Sequence, residues 1–140
     1  MGRVLGVDLG ERRIGLALSD PTGRVATPYA RVDRSGDLAA DRRTILAHAR
    51  EAGASRIVVG LPLSLSGDAG PAAQAVLEEV EALRAEAGGA LTIDTYDERL
   101  TTVIAERELR AARVPRRARR RVVDEAAATV MLQSYLEARA

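Results

Sequence analysis

The sequence predicts an α/β domain with a mixed five-stranded sheet and helices on both faces. Two observations lead to this fold class. Residues 3–32 contain three short hydrophobic runs joined by short polar links, which is typical of an antiparallel meander. From residue 37 onward, helical and strand patterns alternate, which is typical of parallel strands joined by crossover helices. The predicted order of elements is therefore β-β-β-α-β-α-β-α-α.

The three strands of the meander are short hydrophobic runs separated by turn residues. Residues 3–9 (RVLGVDL) form the first strand and residues 14–20 the second. The sequence DPTG at 20–23 favours a tight turn. Residues 24–32 form the third strand, and Pro28 places it at an edge of the sheet, because proline has no N–H for a central ladder.

Helices and strands alternate through the rest of the chain. The predicted helices span residues 37–52, 71–87, 101–112 and 122–138, and the predicted strands span residues 56–60 and 91–96. Gly53 ends the first helix, and Pro71 suits the first turn of the second. The segment 113–121 (RVPRRARRR) is interpreted as an arginine-rich loop before the last helix.

The composition excludes several classes of protein. The 140 residues suffice for one packed core, so we expect a single domain over residues 1–140. Because the chain has no cysteine, it has no disulfide scaffold, no cysteine zinc site and no thiol nucleophile. The sequence shows no signal-like segment and no long uncharged apolar run, so we expect a cytoplasmic protein without membrane association.

The basic and aromatic residues favour contacts with phosphate over contacts with bases. All 21 basic residues are arginine, whose planar guanidinium suits phosphate, and the absence of lysine excludes lysine-based covalent catalysis. Six arginines and no acid lie in 113–121, so the rest of the chain carries a net charge of −5. With three tyrosines and no other aromatic residue, a nucleic-acid-binding role would depend on backbone and shape.

Asp8 is a carboxylate inside a strand that is otherwise apolar. The alternation of a strand places Asp8 on the same face as Val4 and Gly6. An ionised carboxylate there costs several kcal/mol unless a cation or hydrogen-bond donors compensate it. A structural aspartate, bonded to the turn between Gly10 and Arg13, is the alternative interpretation.

Asp124 begins an apolar stripe on the last predicted helix. The positions that share its helix face are Ala127, Ala128, Met131, Leu132 and Tyr135. A single acid at the start of a stripe that must face the sheet favours a functional role. The alternative is a helix-capping aspartate, which is worth about 1 kcal/mol.

A third acidic position follows the fifth predicted strand. Asp97 and Glu98 both lie there, and periodicity alone does not choose between them. An ordinary polar turn before a helix capped by Thr101 is the alternative. In α/β sheets, the carboxyl ends of central strands form the active site, so these acids can converge with Asp8 and Asp124.

Converging carboxylates point to a divalent metal ion. Like charges held together raise each other's pKa, and a cation removes this conflict. All-oxygen ligands suit Mg²⁺ or Mn²⁺. A pair of such ions about 4 Å apart supports phosphodiester hydrolysis. The sequence therefore predicts metal-dependent phosphodiester chemistry beside an arginine-rich segment.

Four motifs in the chain resemble the YqgF family. They are GVDLGERRIGLALSD at 6–20, VVGLPLSLSGDAGP at 58–71, YDERLTT at 96–102 and VVDEAAATVMLQSYL at 122–136. The resemblance spans nearly the whole chain. It implies an RNase H-like fold and an endonuclease activity, since members are described as Holliday junction resolvases and as nucleases that mature the 5′ end of pre-16S rRNA.

The resemblance also assigns site residues. It places the acidic triad of the family on Asp8, Glu98 and Asp124, which selects Glu98 over Asp97. The loop after the fourth strand departs from the usual pattern of an asparagine and an Asp-Gly pair, because it carries Ser64, Ser66 and Gly67-Asp68 instead. The first turn also departs, with Arg12 and Arg13 where the family often has lysine beside arginine.

Arginines near the predicted acids are the candidate nucleic-acid contacts. They are Arg12, Arg13, Arg116, Arg117, Arg119, Arg120 and Arg121. We expect them to give a non-specific, salt-sensitive affinity, whereas the alternative is a solvated loop. The resemblance leaves branched DNA and precursor rRNA open as substrates. Two-fold symmetric cleavage of a junction would require a homodimer, which we expect by analogy.

Two further interpretations compete with that of a nuclease that uses two Mg²⁺ or Mn²⁺ ions. The first motif also occurs in actin-like and sugar-kinase ATPases, but those folds need two such domains around the nucleotide. A non-catalytic ribosome-assembly factor would bind nucleic acid without cleaving it. The only histidine, His48, falls on the first predicted helix away from every motif, and we expect it to be a surface residue.

Overall fold

Five strands and three helices make up the part of the chain that the structure, a computed structural model, describes: residues 2–64, 66–98 and 116–139, with only the backbone for 116–125. The strands are β1 (Arg3–Leu9), β2 (Arg13–Ser19), β3 (Ala26–Asp33), β4 (Ala54–Leu61) and β5 (Thr92–Asp97). The helices are α1 (Leu38–Glu51), α2 (Pro71–Ala87) and α3 (Arg116–Arg139).

The five strands form one mixed sheet in the order β3-β2-β1-β4-β5. β2 pairs antiparallel with both β1 and β3, whereas β1, β4 and β5 run parallel to one another. The predicted meander followed by parallel crossovers is therefore confirmed, and Pro28 does lie in an edge strand. β1 occupies the centre of the sheet, so Asp8 lies on its middle strand.

Helices cover both faces of the sheet, as predicted. On one face, α1 and α2 pack against the sheet; the buried residues of this cluster include Leu5, Val7, Ile14 and Leu16 of the strands and Ile45, Ala49, Val76, Val80 and Leu83 of the helices. On the other face, a second buried cluster packs against α3; it includes Val4, Ala17, Val58, Ala128, Met131, Leu132 and Tyr135. The apolar stripe predicted on the last helix is therefore the stripe that α3 buries.

Gly6 allows α3 to approach β1 closely. A Cβ built on Gly6 would lie 2.9 Å from the Cβ of Leu132 and 3.4 Å from the carbonyl oxygen of Ala128. A larger residue would push the helix away from the sheet. Gly6 lies two residues before Asp8 on the same side of β1, so this contact sets the position of α3 next to Asp8.

α3 runs antiparallel to β4 and β5. The hydroxyl of Tyr135 donates to Oδ2 of Asp94 at 2.8 Å, whereas Met131 lies further along the sheet, 3.6 Å from a Cβ built on Gly60. Asp94 pairs with Val58, which precedes Gly60 in β4. The amino-terminal half of α3 is therefore directed toward the carboxyl ends of β1 and β4.

Two expectations for the last third of the chain have different outcomes. The interpretation of 113–121 as a loop is wrong for residues 116–121, because α3 begins at Arg116. Arginine is a strong helix former, and the proline at position 115 is compatible with a helix start. The predicted helix at 101–112 lies outside the described residues.

His48 is half-buried rather than a surface residue. Its ring packs edge-to-face against the ring of Tyr29 in β3, with 5.7 Å between the ring centroids. This contact joins α1 to the edge strand β3. Among the described residues, no helix has both the length and the apolar character needed to cross a membrane.

Candidate functional site

The candidate site lies at the carboxyl ends of β1 and β4, on the face of the sheet that α3 covers. Asp8 is half-buried near the end of β1. It pairs with Gly15 in β2. In β4, Gly60 follows Val59, the residue that pairs with Val7. Asp8 therefore has a glycine beside it in each neighbouring strand, and no side chain from these two positions covers it.

Glu98 occupies the space above one of these glycines. A Cβ built on Gly60 would overlap Oε2 of Glu98 and lie 3.0 Å from its Cδ. The backbone N–H of Glu98 donates to the carbonyl oxygen of Leu61 at 3.2 Å, which extends the pairing of β5 with β4 by one residue. The missing side chain at Gly60 thus provides the volume for the Glu98 carboxylate.

Asp8 and Glu98 lie close enough for their charges to interact. The pKa of Glu98 rises to about 7, first because burial disfavours its ionised form and then because of the negative charges of Asp8 and Asp97. Raised carboxyl pKa values are typical of functional sites as well as of some structural clusters. The like-charge conflict expected from the sequence is present at Glu98.

The pairing of β5 separates Glu98 from Asp97. Ile93 belongs to the core under α1 and α2, whereas Asp94 and Tyr96 contact α3. Because side chains alternate between the two faces along a strand, Glu98 lies on the same face as Asp94 and Tyr96. Sequence periodicity alone left the two acids open, and in the structure Glu98 lies over Gly60 on the side of Asp8.

Asp124 lies in α3, one helical turn before Ala128. Ala128 contacts the sheet at Gly6, and α3 continues from there toward the carboxyl ends of the strands. The side chain of Asp124 is outside the described residues, so the structure brings together two of the three predicted acids. Within the described side chains, no group of three or more acids or histidines is arranged to hold a metal ion.

The β1–β2 turn, which carries Arg12 and leads into Arg13 of β2, is held by Arg34. The guanidinium Nε of Arg34 donates to the carbonyl oxygen of Gly10 at 2.9 Å, and its backbone N–H donates to the carbonyl oxygen of Arg12 at 2.8 Å. Its two terminal nitrogens donate to Glu79 of α2 at 2.9 and 3.2 Å. Arg34 therefore ties the turn next to Asp8 to a helix on the opposite face.

The five predicted arginine contacts at 116–121 lie in the first two turns of α3. This correction changes their spacing, because a helix fixes the angle between neighbouring residues at about 100°. Arg12 is exposed and Arg13 is half-buried at the start of β2. These arginines thus lie in two places: the segment that follows β1 and the first two turns of α3.

The loop after β4 contains an internal hydrogen-bond network. The Ser64 hydroxyl accepts from the backbone N–H of Asp68 at 3.1 Å, and the Ser66 hydroxyl donates to the Asp68 carboxylate at 2.9 Å. The backbone N–H of Ser64 donates to the carbonyl oxygen of Asp68 at 3.0 Å. The residues that depart from the usual family pattern therefore stabilise one another in this loop.

Sequence reasoning missed the two glycines that flank Asp8. Gly15 lies between Ile14 and Leu16 in β2, and Gly60 lies between Val59 and Leu61 in β4. A glycine inside a strand often marks a close approach of another group, which is the signal that could have identified them. Their importance depends on register, because only strand pairing places both of them beside Asp8.

Comparisons with known proteins agree with this architecture. Residues 2–138 match the model of a family described as RuvX: Holliday junction resolvase. The chain is 44% identical over 135 residues to a Moorella thermoacetica protein named "Putative pre-16S rRNA nuclease", covering 96% of this chain and 94% of that protein. A Leifsonia xyli subsp. xyli protein of the same name is 46% identical over 134 residues, covering 96% and 84%.

Solved structures resemble the chain in fold. The structure titled "T. thermophilus RuvC in complex with Holliday junction substrate" superposes with a TM-score of 0.60 at 15% identity, covering 98% of this chain and 95% of that chain. A second structure of RuvC from Thermus thermophilus gives a TM-score of 0.56 with the same coverage. The expected RNase H-like fold is therefore confirmed.

Proposed function

The chain belongs to the RuvX family of Holliday junction resolvases, and we propose that it is a divalent-metal-dependent endonuclease that hydrolyses phosphodiester bonds of structured nucleic acid. The observation that carries the proposal is the position of the Glu98 carboxylate beside Asp8, in the space left by Gly60. A half-buried pair of acids at the carboxyl ends of central strands is a suitable place for chemistry in an α/β fold.

The acids fit a hard divalent cation. Burial and the charges of Asp8 and Asp97 oppose ionisation of Glu98, and a cation bound at its carboxylate would offset this cost. The donors are carboxylate oxygens, which suit Mg²⁺ or Mn²⁺. Asp8, Glu98 and Asp124 would hold the ions, which we propose to be two. When bound, the ions would supply the charge that activates water and stabilises the leaving oxygen.

The protein's own residues would position the substrate. Arg12 lies on the turn that follows β1, Arg13 begins β2 directly after it, and Arg34 restrains this turn through its hydrogen bonds to Gly10 and Arg12. A restrained turn presents its arginines to a phosphate with little loss of conformational freedom on binding. The arginines at the start of α3 would add contacts that depend on phosphate rather than on base sequence.

Two substrates are consistent with the family. The relatives are named for pre-16S rRNA, and the RuvC structure holds a Holliday junction. Both are structured nucleic acids in which backbone geometry offers a means of recognition. We propose a cytoplasmic protein that acts on one of these two classes; cleavage of a four-way junction at symmetric positions would use a homodimer.

A cleavage panel tests the proposal. The purified protein would be incubated with Mg²⁺ or Mn²⁺ and with four-way DNA junctions or RNA carrying the precursor 5′ end of 16S rRNA. We expect cleavage of one class, leaving a 5′-phosphate and a 3′-hydroxyl, and loss of cleavage by at least about a hundredfold in Asp8→Asn. Binding of the substrate in EDTA should remain near that of the parent.

Asp97→Asn is the matched control for this panel, because it removes an adjacent acid that is not a predicted ligand. We expect this variant to cleave within about threefold of the parent. Equal cleavage by Asp8→Asn and the parent would contradict the metal-ligand role. Binding of nucleic acid without cleavage under every metal condition would instead favour a non-catalytic assembly factor.

A further inference from the structure

The edge strand β3 contains a β-bulge opposite the middle of β2. Leu16 pairs with Ala30, but the next residue of β2, Ala17, pairs with Pro28. Tyr29 is therefore an extra residue that has no counterpart in β2. A bulge of this kind shifts the alternation of the strand, so residues beyond it point to opposite sides from those that a regular ladder would give.

The bulge determines which face of the sheet carries Arg31. With the bulge, Arg31 pairs with Gly15, whereas a ladder continued from the pair of Ala17 and Pro28 would place it opposite Ile14. Ile14 is buried in the core under α1 and α2. The extra residue thus moves Arg31 to the face that carries Asp8. Its neighbours Ala30 and Val32 pack against the opposite core instead.

Arg31 and Asp8 lie in one row across the sheet. Arg31 pairs with Gly15, and Gly15 pairs with Asp8. Neighbouring strands are about 4.8 Å apart, so the two Cα atoms are separated by about 10 Å. The residue between them is a glycine, so no side chain of β2 stands in this row. Arg31 itself is exposed, as expected for a group that meets a ligand from solvent.

We propose that Arg31 binds a backbone phosphate of the nucleic-acid strand whose scissile phosphate lies at Asp8 and Glu98. This inference rests on the proposed nuclease function and extends it to a contact that no sequence motif indicated. The separation of about 10 Å corresponds to about three nucleotides of a duplex strand along its axis. The guanidinium fork provides two donors for one phosphate.

The location at a bulge supports a functional position. Bulges are frequent beside active sites, where they redirect a side chain, and they disrupt strand pairing locally. Here the redirected residue is a permanent cation in the row of Asp8, with a glycine between them. Contact with phosphate predicts an affinity that depends on salt and not on base sequence.

Binding measured without cleavage tests the proposal. Fluorescence anisotropy would use labelled four-way DNA junctions and labelled RNA with the precursor 5′ end, in EDTA, over about 50 to 200 mM KCl. We expect Arg31→Ala to bind about tenfold more weakly and to lower the slope of log affinity against log salt by about 1. Arg31→Lys should recover part of the affinity, because it keeps the charge and loses the fork.

Arg43→Ala is the matched control, since Arg43 is an exposed arginine of α1 on the opposite face of the sheet. We expect this variant to bind like the parent. If the parent binds and Arg31→Ala matches Arg43→Ala, the role of Arg31 is overturned and the nuclease proposal stands. An Arg31→Ala variant with a lower melting temperature and an unchanged salt slope also overturns it, in favour of a structural role. A parent that binds neither probe overturns both proposals.

Discussion

The carboxylate of Glu98 lies over Gly60, in the volume that a Cβ at this position would fill. The two residues belong to neighbouring segments, the end of β4 and the residue after β5, and a backbone hydrogen bond from Glu98 to Leu61 holds them together. A residue that lacks a side chain thereby fixes the position of an acid whose pKa burial and neighbouring charges raise.

Gly60→Ala should displace the Glu98 carboxylate. The added methyl group overlaps Oε2, and because Met131 lies on the same side, the acid has little space to move. We expect cleavage to fall by about tenfold or more, with a loss of about 1–3 kcal/mol in the free energy of unfolding. Steady-state cleavage and thermal melts would measure the two effects.

Gly70→Ala is the control for the cleavage measurement, because nothing lies within 4 Å of a Cβ built on Gly70 and its φ of −74° suits any residue. Cleavage by Gly60→Ala at the rate of the parent would show that the position of Glu98 is not needed for the reaction.

Glu98→Gln should stabilise the metal-free protein at high pH. The folded state holds a proton on Glu98 up to about pH 7, whereas the unfolded chain releases it near the ordinary value of 4.5. The folded state therefore binds more protons between these values, and stability falls as the pH rises through this window. At about pH 8 we expect the variant to exceed the parent by about 2 kcal/mol, after allowance for solvent screening.

Chemical denaturation in EDTA would measure this difference, and it should vanish near pH 4, where the parent's Glu98 is protonated in both states. Glu51→Gln, at an exposed position of α1, is the comparison variant. Addition of Mg²⁺ should stabilise the parent more than Glu98→Gln, since ligand binding to the folded state adds stability. A difference that stays constant with pH would contradict the raised pKa.

Gly6→Ala should loosen the contact between α3 and β1. Its methyl group would meet the Cβ of Leu132 at 2.9 Å, which is shorter than a normal carbon contact, so the helix must shift. We expect a loss of about 1–3 kcal/mol in the free energy of unfolding. Thermal melts would detect it. Unchanged stability would mean that α3 adjusts its position without cost.

The arginines at the start of α3 should differ in their contribution to binding. Arg117 and Arg121 precede Asp124 by seven and three residues, which places these positions on its side of the helix, whereas Arg119 is on the opposite side. We expect the double substitution of Arg117 and Arg121 by alanine to lower the salt slope by about 2, and Arg119→Ala to leave it near that of the parent. Equal effects of the two variants would contradict a directional contact.

Much of the fold could be predicted from the sequence, because the periods of strands and helices differ. The succession of strands along the chain, the edge position of Pro28 and the buried stripe of α3 all follow from local pattern. The start of α3 was missed, because a run of arginines has no apolar stripe. The high helix propensity of arginine was the signal that could have indicated this helix start.

The arrangement of the site needed tertiary information. Alternation in β1 places Asp8 on one face, but only the pairing of β5 with β4 places Glu98 next to it. The space above Gly60 is occupied by the Glu98 carboxylate, and the sequence neighbours of Gly60 do not indicate this. The bulge at Tyr29 has no local sequence signature, so the face that carries Arg31 could not be foreseen.

The packing of α3 against β1 has a consequence for synthesis of the protein. Val4 and Gly6 are translated more than a hundred residues before Leu132, which covers them. One apolar surface of the sheet therefore stays bare while the ribosome adds the intervening residues, and we expect a chain interrupted before α3 to aggregate or to recruit chaperones. A protein assembled in this order would complete this face of its sheet only after α3 has left the exit tunnel.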